Sequence, residues 1–454
     1  MAFQNGTAHR APALARLAGL LVTLLAVALT EVGPCSAQTL NEALASAYRS
    51  NPTLQAAQAE LRRTDERVPE ALAGWRPQAD ITAGGGAAAS QGANQRSLLS
   101  ASNGVVYALD LRVKQPIYNF ETPASVKEAK SAVKAQRARL IAVEQDVLAH
   151  AATAYADVLR AQGVLELNKS HEELVRRDLE SVRRRFASGE LRKSDVAQSE
   201  ASLAEATAQH TLAEANLASA GEVYRVWVGD LPGVLVEPEL PKGLPATEDE
   251  VAQQSLTNPN VVAADHAVKE ASRSVDASMG QKLPRIFLQG DAGASSQSIL
   301  GLLTVPLYDG TLDPHVRAAK QLVDQRRLEA DAQRRIARQT AVGAWRKFVA
   351  ARASITSYKA QVAAARAAEE GVGREEAVGL RTVENLLSAQ DRLRNAQVSL
   401  IGAQRDAFEM AIEVLASIGR LTARDLGLDV TYYDPEQHYD EVRSKWWGTA
   451  TDER

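Results

Sequence analysis

The sequence repeats itself at long range. Asn51-Pro52 recurs as Asn258-Pro259 and Arg76-Pro77 as Leu283-Pro284, both at an offset of 207 residues. Further along, Pro116-Ile117-Tyr118-Asn119 recurs as Pro306-Leu307-Tyr308-Asp309, Tyr155 as Trp345, Gly189 as Gly379 and Leu203 as Leu393, now at an offset of 190. The two offsets differ by 17 residues, and the whole difference falls between Gly86 and Gly104, in a stretch rich in Ser, Ala, Asn and Gln. Each half therefore carries the same ordered elements, with a longer loop in the first. A period of about 200 residues is far longer than the units of solenoids and propellers, which run to roughly 20–50. The chain reads as a duplicated domain: repeat 1 over 38–229, an equatorial linker over 230–248, repeat 2 over 249–425 and a C-terminal tail over 426–454 expected at the same equatorial level.

Residues 1–37 read as a secretory signal. Arg10 and Arg16 supply a basic start, Leu17 to Leu29 an apolar run, and Cys35-Ser36-Ala37 a small-residue cleavage site. An acylated Cys35 is the other reading, but Pro34 argues against that processing, and cleavage after Ala37 is expected. The only cysteine then leaves with the signal. No later segment approaches the ~20 apolar residues of a membrane helix. Net charge is −4, from 52 basic and 56 acidic residues interspersed, which points away from nucleic acid. The basic run Arg176-Arg177, Arg183-Arg184-Arg185 alternates with Asp178 and Glu180 and reads as a solvated helix face. The seven histidines show no metal-ligand spacing, and Gly84-Gly85-Gly86 lacks the helix and Lys-Ser/Thr of a phosphate loop. With no nucleophile–base constellation either, neither cofactor nor catalysis is expected.

Proline is absent from Ala124 through Asp230 and from His315 through Tyr433, and both stretches are rich in strong helix formers. Apolar residues recur there every seven positions. Val126, Val133, Leu140, Val147, Ala154 and Ala161 form one register; Val196, Leu203, His210, Leu217 and Tyr224 form a second, copied as Leu386, Leu393, Leu400, Ala407 and Val414. Leu40, Ala47, Leu54, Leu61, Val68 and Trp75 form another, with Pro69 placed to kink that helix near its end. Sustained heptads predict coiled-coil packing, and the alanines of a second seam (Ala206, Ala213, Ala220; Ala389, Ala396, Ala403) let helices approach closely. A generic coiled-coil scaffold or adaptor would show as much.

The segments between the helices separate those readings. Over Val105–Lys114 the residues Val105, Tyr107, Leu109, Leu111 and Val113 are apolar, while Asp110, Arg112 and Lys114 alternate with them. Period two over this length predicts a strand with one apolar and one charged face. It is expected to pair with Gln78–Gly86, and its counterpart to join Arg285–Ala294 to Ile299–Tyr308 through a tip at Ser295–Ser298. A soluble sheet with one wet face fits this pattern, and so do the ~10-residue alternating strands of an outer-membrane barrel. The predicted helices Thr39–Trp75 and Ser194–Gly229 each span ~55 Å and Ala124–Ala187 ~96 Å, so two short helices end to end match one long one.

In this order and spacing the sequence resembles the TolC-type outer-membrane efflux family over the whole mature chain. The carrying motifs are the Asn-Pro near each repeat start, Arg76-Pro77 and Leu283-Pro284 before the first strands, Gln115-Pro116-Ile117-Tyr118 and Val305-Pro306-Leu307-Tyr308 at the strand exits, and Val378-Gly379-Leu380-Arg381-Thr382-Val383 at the second hairpin tip. The tail Tyr433-Asp434-Pro435, His438-Tyr439, Val442-Arg443 and Trp446-Trp447 is similar to alphaproteobacterial members. The resemblance implies a homotrimer, in which a shared 12-stranded β-barrel in outer-membrane lipid stands on a 12-helix periplasmic α-barrel. It also implies an exit duct for drugs or secreted polypeptides, working with a periplasmic adaptor and an inner-membrane RND or ABC transporter. Four strands alone would leave bare edges in lipid, which independently demands oligomerisation.

The resemblance further implies site residues. Ser188-Gly189-Glu190 and Val378-Gly379-Leu380 would be the turns that meet the adaptor. Asp110, Arg112 and Lys114 would face the barrel lumen. At the periplasmic gate Arg381 would latch to Asp195, with Glu376 standing where the family has a tyrosine and able to compete for Arg381. Asn385 and Ser388 occupy the positions of the family's aspartate rings, so acidity survives only nearby, at Glu384 and Asp391.

Overall fold

The computed structural model describes residues 38–87, 100–102, 105–293 and 297–449; the segment read as a signal, Cys35 included, lies outside these. The chain opens at Thr39, whose hydroxyl accepts from the Glu42 N–H while the Glu42 carboxylate accepts from the Thr39 N–H. This capping box starts α1 (Leu40–Ser50). The single helix expected over 39–75 is three: α1, α2 (Pro52–Asp65) and α3 (Arg67–Leu72), ending in a 3₁₀ turn at Ala73–Trp75. Pro52 cannot donate to α1, so it begins a new helix at its favoured first position. The second break, at Glu66, falls just before Pro69, whose ring would strike the Asp65 carbonyl. The heptad register nevertheless runs on across both breaks, with Ala47, Leu54, Leu61 and Val68 buried.

Strands β1 (Gln78–Ala87), the three-residue β2 (Ser100–Ser102) and β3 (Val105–Tyr118) follow. Next come the 67-residue α4 (Glu121–Ala187) and the 36-residue α5 (Lys193–Val228). Repeat 2 restates the plan with α6 (Glu248–Gln254), α7 (Pro259–Gly280), β4 (Arg285–Gly293), β5 (Gln297–Thr304), the 66-residue α8 (Leu312–Ala377) and the 35-residue α9 (Val383–Ser417). A last helix, α10 (Gln437–Val442), lies in the tail. At 1.5 Å per residue α4 and α8 are ~100 Å long and α5 and α9 roughly half that. No helix among the described residues is long and apolar enough to cross a membrane, which bears on helices alone.

The strands form one antiparallel sheet in the order β1-β3-β4-β5, with β2 beside the outer end of β3. β5 starts earlier than the sequence suggests, taking in Gln297 and Ser298, and stops at Thr304 because Pro306 has no N–H for the ladder. The shift in the β3–β4 register between Pro116 and Tyr118 has the same cause.

Where the helices meet at mid-height lies the main core, built by Leu44, Leu54, Leu148, Tyr155, Tyr224 and Phe408 among others. The linker crosses this level. Its Val234 carbonyl accepts from the Gln38 N–H at 2.7 Å, and the Tyr155 hydroxyl lies 2.6 Å from the Val236 carbonyl. The repeated Asn-Pro has a shared purpose here. Asn51 caps α2 (2.9 Å to the Thr53 N–H) and donates to the Trp227 carbonyl at the end of α5. Asn258 caps α7 (2.9 Å to the Asn260 N–H) and donates to the Ser417 carbonyl at the end of α9. Each repeat thus ties the start of one helix to the end of its neighbour through one amide.

Candidate functional site

Two surfaces carry chemistry, at opposite ends of the helical column. At the lower end α4 and α8 both stop in the same hydrogen-bonded turn. The Gly189 N–H donates to the Phe186 carbonyl and the Glu190 N–H to the Arg185 carbonyl; the Gly379 N–H donates to Glu376 and the Leu380 N–H to Glu375. This pair of bonds requires a left-handed residue, and φ is 85° at Gly189 and 77° at Gly379. A Cβ added at either glycine would meet nothing within 4 Å, so both turns stand clear of the molecule. Val378 and Leu380 are 70% and 76% exposed. Ser188 closes the first turn by donating to the Arg185 carbonyl and to Glu190.

Within one protomer Arg381 and Asp195 are not partners. Asp195 accepts from the Arg192 N–H at 2.9 Å and so caps its own helix, while Arg381 reaches back across its turn to Glu375 at 2.9 Å. Glu376 competes for neither: it is 12% exposed and holds Arg185 at 2.6 Å, which keeps that guanidinium above its ordinary pKa. Among the described residues the ion pair between the two tips is therefore Arg185–Glu376, and Val182 packs with Val383 and Leu387 beside it. Above it α4 and α9 are joined by Gln390 donating to Asp178 (2.8 Å), by His171 beside Asp391 (3.3 Å) and by Arg405 on Asp157 (2.8 Å). Burial pushes the Asp178 carboxyl up, with the Gln390 amide pulling back; burial pushes His171 down, with Arg394 adding to the effect. Arg185 was legible in principle, because the 190-residue offset sets it opposite Glu375, opposite charges at equivalent positions of two hairpins that pack together. Asn385 caps α9 with Thr382; Glu384, Asn385 and Ser388 are exposed on one stripe of the first turns of α9, and Arg381, also exposed, lies in the turn before it.

At the upper end the sheet sorts its faces. Register puts Asp80, Asp110, Arg112, Lys114, Gln289 and Asp291 on one side, with Arg112 donating to Asp291 at 2.9 Å and Lys114 lying 4.1 Å from the centre of the Phe287 ring. Ile81, Leu109, Leu111, Val113, Ile286, Leu288 and Ile299 are exposed on the other. β5 departs from the pattern, since Leu300 and Leu302 share the charged side with Gln289 and Phe287. Among the described residues no cluster of His, Cys, Asp and Glu could hold a metal ion.

Against known proteins, the family profile "Outer membrane efflux protein" matches residues 43–223. The chain is 32% identical to the outer membrane efflux protein BepC of Brucella suis biovar 1 (strain 1330), over 91% of this chain and 92% of that one. It is 24% identical to the outer membrane protein TolC of Escherichia coli (strain K12), over 90% of this chain and 87% of that one. Among solved structures, the Campylobacter jejuni CmeC outer membrane channel superposes with a TM-score of 0.74, at 16% identity and 89% coverage of both chains.

Proposed function

This chain belongs to the outer membrane efflux protein family, and from that premise we propose that three copies assemble into one duct that accepts cargo from a periplasmic adaptor and an inner-membrane RND or ABC transporter. The protein is an outer-membrane efflux channel of the TolC type, a non-enzymatic transport protein with a periplasmic helical portion. The observation that carries the assembly is the open sheet: β1 and β5 are its two outer strands, each bonded along one edge only among the described residues. An unpaired strand edge in hydrocarbon leaves several polar groups unsatisfied, and closure with neighbouring copies removes the edge. Three chains supply twelve long strands, an even number as such barrels have. The exposed apolar face then meets lipid and the face with Asp110, Arg112 and Lys114 lines the lumen.

The two freestanding turns are the surfaces for the adaptor: Ser188-Gly189-Glu190 and Val378-Gly379-Leu380. In the closed duct each protomer's hairpins are fastened by Arg185–Glu376, and Arg381 meets Asp195 of an adjoining chain. Glu384, Asn385 and Ser388 line the approach to that constriction, so that each chain offers one acid there and uncharged side chains at the two positions of the family's aspartate rings. The mature protein purified in detergent should have the mass of a trimer and conduct as single channels in planar bilayers. A monodisperse monomer with full native circular dichroism would sink the assembly.

A further inference from the structure

The tail after α9 has no part in the sheet or the hairpins, yet it follows a definite path. Helix α10 lies against α2, with Tyr439 packed on Val68, Ala129 and Val133, and Arg137 stacked over its ring. From there the tail climbs: the Arg76 guanidinium lies 5.1 Å from the centre of the Trp446 ring. Arg76 stands two residues before β1, at the foot of the sheet. Trp446 is 59% and Trp447 85% exposed, whereas Trp75, Trp227 and Trp345 are all partly covered.

We propose that Trp446-Trp447 is a lipid anchor, seated among the phospholipid headgroups of the periplasmic leaflet of the outer membrane. The proposal rests on the reading that the strands span that membrane. Three observations favour lipid over a protein partner. The pair sits at the level where the strands begin, because Trp446 lies against Arg76 two residues before β1, so it stands directly below a surface that faces lipid. Tryptophan concentrates at this depth because its ring is apolar and its indole N–H needs a wet acceptor. Arg76, held on Trp446, sets a fixed positive charge at the same height, complementary to lipid phosphate. Two indoles also present only about 300–500 Å², well below the roughly 1,000 Å² of a stable protein interface, but enough to steady a tail already docked through α10.

The test uses the full mature channel in vesicles whose phosphatidylcholine is brominated at acyl positions 6 and 7 or 11 and 12. Fluorescence of a Trp446→Phe/Trp447→Phe variant is subtracted from that of the unaltered channel, which isolates the pair. We expect at least twofold quenching by the shallow bromines, weaker quenching by the deep ones, and protection from iodide. A second measurement keeps both tryptophans and places an environment-sensitive fluorophore at Thr449→Cys, which the signal's removal of Cys35 leaves as the only thiol. Its emission should shift to the blue on insertion. Indoles unquenched by either lipid in a conducting channel overturn the anchor alone, whether iodide reaches them (a tail in water) or not (a tail tucked onto a neighbouring copy). A protein that neither floats with vesicles nor conducts overturns the membrane-spanning reading, and the anchor with it.

Discussion

At the scale of single residues the two tip glycines are set by backbone geometry, not by packing. Left-handed φ costs a residue with a Cβ ~1–2 kcal/mol, and the open space around Gly189 and Gly379 adds no clash to that figure. Helices of 67 and 66 residues can absorb such a cost. Gly189→Val and Gly379→Val are therefore expected to leave trimers in the membrane and to abolish export, read as both drug susceptibility and polypeptide secretion of cells carrying each variant. Unchanged resistance and secretion in both would refute the docking role. Glu144 shows the opposite situation. It accepts from the Ala423 N–H at 2.7 Å, and burial pushes its pKa above the ordinary carboxyl value, with that N–H pulling back. The folded chain thus keeps this proton to higher pH than the unfolded chain. The stabilising difference is fully present below the unfolded pKa and is lost as pH rises through the folded one. Glu144→Gln cannot ionise, so its thermal stability relative to the unaltered protein should rise across that window and then level off. Glu144→Ala cannot ionise either, so it should cost ~1–3 kcal/mol below that window, where it orphans a buried N–H, and its loss relative to the unaltered protein should shrink across the window.

At the scale of elements, the Asn-Pro pairs and the polar rungs explain how long helices keep their relative heights. Asn51→Ala or Asn258→Ala removes a cap and a helix-to-helix tie together, for a loss of ~1–2 kcal/mol each. The two sites share no partners, so the double variant should lose the sum to within ~0.5 kcal/mol; melting curves followed by circular dichroism measure both. A loss much smaller than the sum would mean that the repeats yield as one unit. The tip contact Arg185–Glu376 is partly buried, so salt screens it less than an exposed pair. In the proposed trimer three symmetric copies would bias one two-state gate. Arg185→Ser and Arg381→Ser are each expected to raise single-channel conductance without loss of trimer mass. Conductance equal to the unaltered channel in both would move the latch away from the tips.

At the scale of the whole molecule, closure of the sheet is an arrangement that one chain cannot show in itself. Ala79, Val113, Gly290 and Ile299 form one cross-strand row on the apolar face. If β1 of one copy lies beside β5 of the next, a cysteine at Ala79 combined with one at Ile299, Gly301 or Leu303 should give covalently linked dimers and trimers on mild oxidation in membranes. Absence of linkage at all three positions would show that the strands meet in another order.

The duplication, the heptads and the alternating strands are local or periodic signals, and they determined the order of the main elements, the faces of β1, β3 and β4 and the turn glycines from sequence alone, but not the splitting of the first helix, β2 or α10. Helix phase at buried seams follows from apolar spacing, because burial is set by which residues share a face. What the tertiary structure alone decided is which polar groups meet. Heptads say that α4 and α9 pack, but not that Gln390 reaches Asp178, that Glu376 takes Arg185, or that Arg381 turns back to Glu375. Exposed Arg and Glu side chains each have several partners within reach at nearly equal energy, so only the positions of the neighbouring helices select among them. The Asn51-Pro52 pair was visible in the sequence as a repeat mark, yet the heptads ran one helix through it, and its purpose appeared only when the end of α5 was found against it. The same holds for the tail: two tryptophans are visible in any reading, but only the fold brings Trp446 against Arg76, just beneath the first strand.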